Sequence, residues 1–168
     1  MRRNGGFSLF ELAASAIIVA ILAWYLLDRM TTYQEMAEKT VVESIVMNMR
    51  SGLRYREAEL MTHNQENEIA ALVGENPVKW LEKAPPNYLG ELSAPRENEI
   101  PPGSWYFDKR ERELHYLVKR DGNFVPGPSG KHELRFRVTA LNGGKAAGAA
   151  QLPVQGVALT LMEPYRWF

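Results

Sequence analysis

The chain's hydrophobic pattern changes period twice. From Phe7 to Leu27 it is apolar all round, 21 residues in which Glu11 is the only charge. As a helix rising about 1.5 Å per residue, this run spans roughly 31 Å, against a bilayer hydrocarbon core of roughly 30 Å. Beyond it the apolar positions thin to a stripe: Met30, Tyr33, Ala37, Val41, Ile45, Met49 and Leu53, widened by Val42 and Val46. Glu35, Glu38, Lys39, Glu43 and Arg50 fall mostly off that stripe, as on an amphipathic helix. No proline occurs between Phe7 and Asn76, so the pattern predicts one helix from about Phe7 to about Met61.

Residues 62–103 read as a connecting region. Gln65 to Val73 and Pro77 to Lys83 are each expected to form a short helix, the second with Pro77 in its first turn. Pro85 to Gly90 and Pro95 to Gly103 read as loop. After Gly103 the period drops to two. Trp105 and Phe107 alternate; so do Leu114, Tyr116 and Val118; so do Leu134, Phe136, Val138 and Ala140, against Glu133, Arg135, Arg137 and Thr139; and so do Val157, Leu159 and Leu161. Asp108 to Glu113 reads as a polar hairpin turn, and Asn142 to Ala150 as a mobile loop. The expectation is an α+β fold: a long N-terminal helix whose second half covers one face of a four-stranded antiparallel sheet. Tyr33, Val41, Ile45 and Leu53 are expected to face Trp105, Tyr116, Phe136 and Leu159.

The flanks of the apolar run orient it. Arg2 and Arg3 precede it, and the segment after it, with Asp28, Arg29, Glu35, Glu38 and Lys39, has no basic excess. The positive-inside rule then places the C-terminal part outside the cytoplasm. A cleaved secretory signal fits poorly, because the only A-x-A triplet near the run, Ala14-Ser15-Ala16, lies in its middle.

Gly6, the aromatic Phe7, Glu11 four residues later and the spanning helix resemble the processing and methylation signature of type IV prepilins and type II secretion pseudopilins. The resemblance covers about the first 30 residues. It implies a leader of residues 1–6 cut between Gly6 and Phe7, and N-methylation of Phe7. A free Phe7 amine could then be neutralised by Glu11 of a neighbouring subunit, setting the axial register. Residues 7–27 would be the membrane and assembly helix, 28–61 its amphipathic continuation, 62–103 the variable connector and 104–168 the sheet domain. Implied partners are other pilin-like subunits, the inner-membrane assembly platform, the prepilin peptidase and, before assembly, membrane lipid. The implied place is the inner membrane with the C-terminal domain in the periplasm, then a filament serving secretion, adhesion or motility. The segment Pro102 to Val118 also resembles, more distantly, the first sheet hairpin of certain minor pilins and pseudopilins.

Independently of the resemblance, a carboxylate on a spanning helix is costly, about 2.5–3.5 kcal/mol at the bilayer centre, and is seldom kept without a partner or a role. Glu11 lies roughly 6 Å along the axis from Phe7, near the interface, where the cost is smaller.

With 168 residues and ten prolines there is room for one modest domain after the helix. The chain has no cysteine, so an exported domain must rely on its core; many pilins instead close a C-terminal loop with a disulfide. Removal of Arg2 and Arg3 leaves 18 basic against 20 acidic residues. Residues 28–102 carry a net charge of −5 and residues 103–168 a net charge of +4. Subunit complementarity or plain solvation is the preferred reading of that asymmetry. A sharper alternative is a basic patch of Lys119, Arg120, Arg135 and Arg137 for a polyanion such as DNA, in a membrane-tethered periplasmic binding protein that does not polymerise.

Neither an enzyme nor a cofactor site is expected. His63, His115 and His132 are scattered, and no Gly-rich phosphate loop precedes a helix. His115 alternates with Tyr116 and is expected at the surface. Asp108, Glu111 and Glu113 resemble a calcium-binding turn only loosely, because the interleaved Lys109, Arg110 and Arg112 oppose a cation. No metal ligands are therefore assigned. The calcium-site and C-terminal features of major pseudopilins are not apparent, which favours a minor subunit.

Overall fold

The computed structural model describes residues 8–96, 99–141, 154 and 156–168. The loop expected from Asn142 to Ala150 lies outside the described residues. Helix α1 runs unbroken over Leu9–Thr62, 54 residues and roughly 80 Å. Its expected end at Met61 is met to within one residue.

The two halves of α1 differ as the pattern requires, but the buried face is not the one expected. The residues of α1 that are buried are Glu35, Val42, Val46, Met49, Leu53 and Leu60. Tyr33 and Val41 are instead 67% and 53% exposed, and Ile45 packs only at the core's margin. The reason is geometric. A line of residues four apart slips by about 40° per step on a helix of 3.6 residues per turn, so Tyr33, twenty positions before Leu53, points nearly opposite to it. Glu35 lies eighteen positions before Leu53, which is about five full turns, and so shares its face.

The sheet has five strands, not four, and is mixed. Strand β1 is Tyr88–Leu92, β2 Trp105–Asp108, β3 Glu113–Leu117, β4 Phe124–Val125, β5 Glu133–Leu141, β6 Gly156–Leu161 and β7 Arg166–Trp167. The main sheet has the order β1-β2-β3-β5-β6, while β4 and β7 pair separately. The four strands foreseen from alternation, β2, β3, β5 and β6, pair antiparallel with one another. The addition is β1, which lies parallel to β2 and pairs Tyr88 with Trp105 and Leu92 with Asp108. It falls within the stretch that reads as loop: five residues after a proline pair, interrupted by Gly90 at φ +90°, give no clean period. The connector's short helices are 3₁₀ turns, Glu66–Leu72 and Pro77–Trp80, rather than α-helices. Gly52 lets the second pass close to α1, since a Cβ there would lie 2.8 Å from the Trp80 carbonyl oxygen.

The core lies between α1 and the sheet. Trp105, Leu114, Leu134, Phe136, Val138 and Leu159 point toward Val42, Val46, Met49 and Leu53 in one apolar cluster. Two acidic residues of α1 clamp this interface. Glu35, 4% exposed, accepts hydrogen bonds from the Asn123 backbone N–H (2.8 Å), Asn123 Nδ2 (2.9 Å) and Trp167 Nε1 (3.0 Å). Glu38 accepts from the Tyr116 hydroxyl (2.9 Å) and from the backbone N–H groups of Lys119 (2.7 Å) and Arg120 (3.1 Å). Burial, reinforced by the hydrogen bond to Glu38 and its charge, holds the Tyr116 hydroxyl well above its ordinary pKa. Glu35→Ala is expected to destabilise the domain by about 2–4 kcal/mol, because it strands buried donors on Trp167 and Asn123. Urea unfolding of the variant, followed by tryptophan fluorescence, measures this, and an unchanged midpoint would show that the clamp contributes nothing.

Candidate assembly helix and outer-face polar cluster

The apolar part of α1, from Leu9 to Leu27, buries nothing against the rest of the described chain. None of its most apolar 18-residue window is buried, and this helix is long and apolar enough to cross a membrane. Leu9 and Phe10 are 86% and 82% exposed, and the apolar surface continues through Leu26 and Leu27. At its far end Trp24 and Tyr25 form an aromatic girdle, with the Arg29 guanidinium 3.3 Å from the Tyr25 hydroxyl and 5.3 Å from its ring centre.

At the near end Ser8 and Glu11 make a capping box. The Ser8 backbone N–H donates to Glu11 Oε2 at 2.9 Å, and the Glu11 N–H donates to Ser8 Oγ at 3.2 Å. The carboxylate thus satisfies a helix-start donor and faces the positive end of the helix dipole, a role the S-x-x-E spacing already encodes. Gly6 and Phe7, the expected cleavage and methylation positions, lie outside the described residues.

The four cations of the expected basic patch divide between two faces. Arg120 lies on the helix side, with Nη2 donating to Gln34 Oε1 at 3.1 Å and Nη1 3.6 Å from Glu38. The aliphatic stem of Lys119 packs beside Gly103. Arg135 and Arg137 stand on the outer face of β5 among carboxylates: Arg135 Nη2 lies 3.0 Å from Glu163 Oε2, and Arg137 Nη2 bonds Glu113 Oε1. Both arginines on the outer face are thus paired with carboxylates.

His115 is not at the surface. It is 4% exposed, stacked on Tyr106 with ring centres 4.7 Å apart. Both its ring nitrogens face carboxylates: Nδ1 lies 3.3 Å from Glu133 Oε2, while Nε2 lies 3.8 Å from Glu111 Oε2 and 3.9 Å from Glu113 Oε2. Strand register builds this cluster, since His115 pairs with Tyr106 on β2 and with Arg135 on β5. Burial raises the Glu133 carboxyl pKa, but the His115 hydrogen bond and charge, with Lys131 and Arg135, outweigh it and hold that carboxyl below its ordinary value. Long arginine side chains lie over the outer face, so polar alternation along β3 and β5 does not here mean exposure. The sequence signal was present in Glu111-x-Glu113-x-His115 opposite Glu133-x-Arg135-x-Arg137, two period-two polar runs on paired strands.

Asp108 is engaged as a turn cap, its Oδ1 accepting from the N–H groups of Arg110 (2.7 Å) and Glu111 (3.1 Å). Glu111, Glu113 and His115, by contrast, bring one ligand atom each to within 4.8 Å of one another. No protein-family model, curated protein or solved structure matches this chain.

Proposed function

We propose that this chain is a pilin-like structural subunit, a minor component of a type II secretion pseudopilus or type IV pilus. The observation that carries the reading is the unclothed apolar half of α1, continuous with a second half that is folded onto a sheet. Such a helix needs a lipid surrounding before assembly and a bundle of like helices after it. In this reading the chain is a substrate of prepilin peptidase and not itself an enzyme. The assembly platform and neighbouring subunits are its partners, and its C-terminal domain stands in the periplasm. The charge asymmetry between residues 28–102 and 103–168 suits packing between copies or close relatives.

Mass spectrometry of the protein isolated from its native membrane tests the proposal. The expected product is a 162-residue chain beginning at N-methylated Phe7, and Gly6→Val should accumulate uncleaved precursor, since a Cβ crowds the peptidase's approach to the leader backbone. An intact leader on the native chain would overturn the filament reading in favour of a tethered protein that never polymerises.

A further inference from the structure

We propose that Glu111, Glu113 and His115 bind one divalent transition-metal ion of the zinc class on the outer face of the sheet. The spacing Glu-x-Glu-x-His places the strand residues Glu113 and His115 on one face, and the turn carries Glu111 round to meet them. Glu113 Oε2 and His115 Nε2 are buried and have no hydrogen-bond partner, and both point into the gap that Glu111 closes. Their side chains are only 4% and 5% exposed, so water does not readily satisfy them from outside. Two buried, unpaired polar atoms within 3.9 Å of each other are costly unless something bridges them.

The arrangement has the features a zinc-class ion requires. Ligand distances of about 2.0–2.2 Å place neighbouring donors of a tetrahedral ion roughly 3.3–3.5 Å apart. The 3.8 Å between His115 Nε2 and Glu111 Oε2 reaches that with a small rotation of Glu111, the most exposed of the three, and the 3.9 Å between His115 Nε2 and Glu113 Oε2 closes with a shift of a few tenths of an ångström in the Glu113 carboxylate. Glu133 accepts from Nδ1 of the same imidazole, which fixes the proton there and leaves the Nε2 lone pair free to ligate. This is the carboxylate–histidine–metal relay found behind metal-bound histidines. An imidazole nitrogen with two carboxylates suits zinc better than calcium, which prefers six to eight oxygens.

The nearby cations do not close the site. Arg112 turns away, donating to the carbonyls of Gly74 (3.1 Å) and Val73 (2.8 Å). Arg110 stays 4.0 Å from the other oxygen of Glu111, and its side chain is 73% exposed. Arg137 binds Oε1 of Glu113, leaving Oε2 for the ion, and Arg135, 3.8 Å from that Oε2, has its stronger partner in Glu163 at 3.0 Å.

Isothermal titration of the full chain in detergent micelles with zinc chloride tests this, with cobalt(II) absorption as the report on geometry. One zinc ion per chain is expected, with the intense visible bands of four-coordinate cobalt. Glu111→Gln, on an exposed turn where folding is not at stake, should weaken binding at least tenfold. Glu133→Gln, which touches only the imidazole, should cost about 10–100-fold. His63→Gln and His132→Gln should change nothing. Absence of saturable zinc binding, binding that survives Glu111→Gln and His115→Gln undiminished, or loss of binding on His132→Gln would each overturn the proposal. The last would move the ion to the His132 and Asp121 pair, 2.6 Å apart on the surface.

Discussion

Phe136→Ala is expected to cost the domain about 3–5 kcal/mol, which approaches the whole stability of a small domain. Phe136 is 3% exposed on β5, paired with Leu114 on β3 and Leu161 on β6, with its ring 6.4 Å from that of Trp105. The flanking strands β3 and β6, Trp105 and the helix enclose it, so truncation leaves a cavity that cannot collapse without moving the sheet. A fragment beginning at Arg29 retains the buried helix face and every strand, and is expected to be soluble and folded. Its thermal unfolding by circular dichroism provides the readout. A melting temperature unaltered by the substitution would remove the helix-on-sheet core as the source of stability.

Glu11→Val is expected to leave insertion, cleavage and accumulation intact while sharply reducing incorporation into filaments. In the single chain the carboxylate only completes the capping box with Ser8, and losing it costs about 0.3–1 kcal/mol at the helix start. Valine also makes the spanning segment more apolar, which offsets the loss in lipid. On the proposed filament reading, what the substitution removes without replacement is the charge for a neighbour's Phe7 amine, a contact that would form only when helices bundle away from water. Shear fractionation followed by immunoblotting separates filament from membrane pools. Equal incorporation of variant and wild type would sink the register role and leave Glu11 as a helix cap.

The sequence was most legible where one physical requirement governed a long run. The 54-residue helix could be read to within a residue or two because unbroken apolar and amphipathic patterning without proline permits little else. The four alternating strands were legible for the same reason. Strand β1 was not, because pairing with β2, rather than any local preference, makes Tyr88–Leu92 extended. Parallel pairing needs a long crossover, and residues 93–104 supply one that looks like plain loop. The buried face of α1 was misjudged by following residues four apart, although Glu35, Val42, Val46, Met49 and Leu53 hold the truer helical angle. Glu35 looked like a surface charge because its partners, Asn123 and Trp167, lie 88 and 132 residues away. The same limit hid the His115 cluster, whose burial depends on arginines of a strand twenty residues further along.

The bond from Glu35 to Trp167 also dictates an order of events during synthesis. Trp167 is held by the short β4–β7 pairing and by an edge-on contact with Phe124, 5.4 Å between ring centres. A ribosome delivers Trp167 132 residues after Glu35, so the helix cannot be clamped until that whole stretch has been made. Over much of that interval the face carrying Val42, Val46 and Met49 emerges before the strands that cover it. Closure of the clamp therefore follows synthesis of all the strands of the main sheet, and a chain stopped before Trp167 would leave Glu35 without its indole partner.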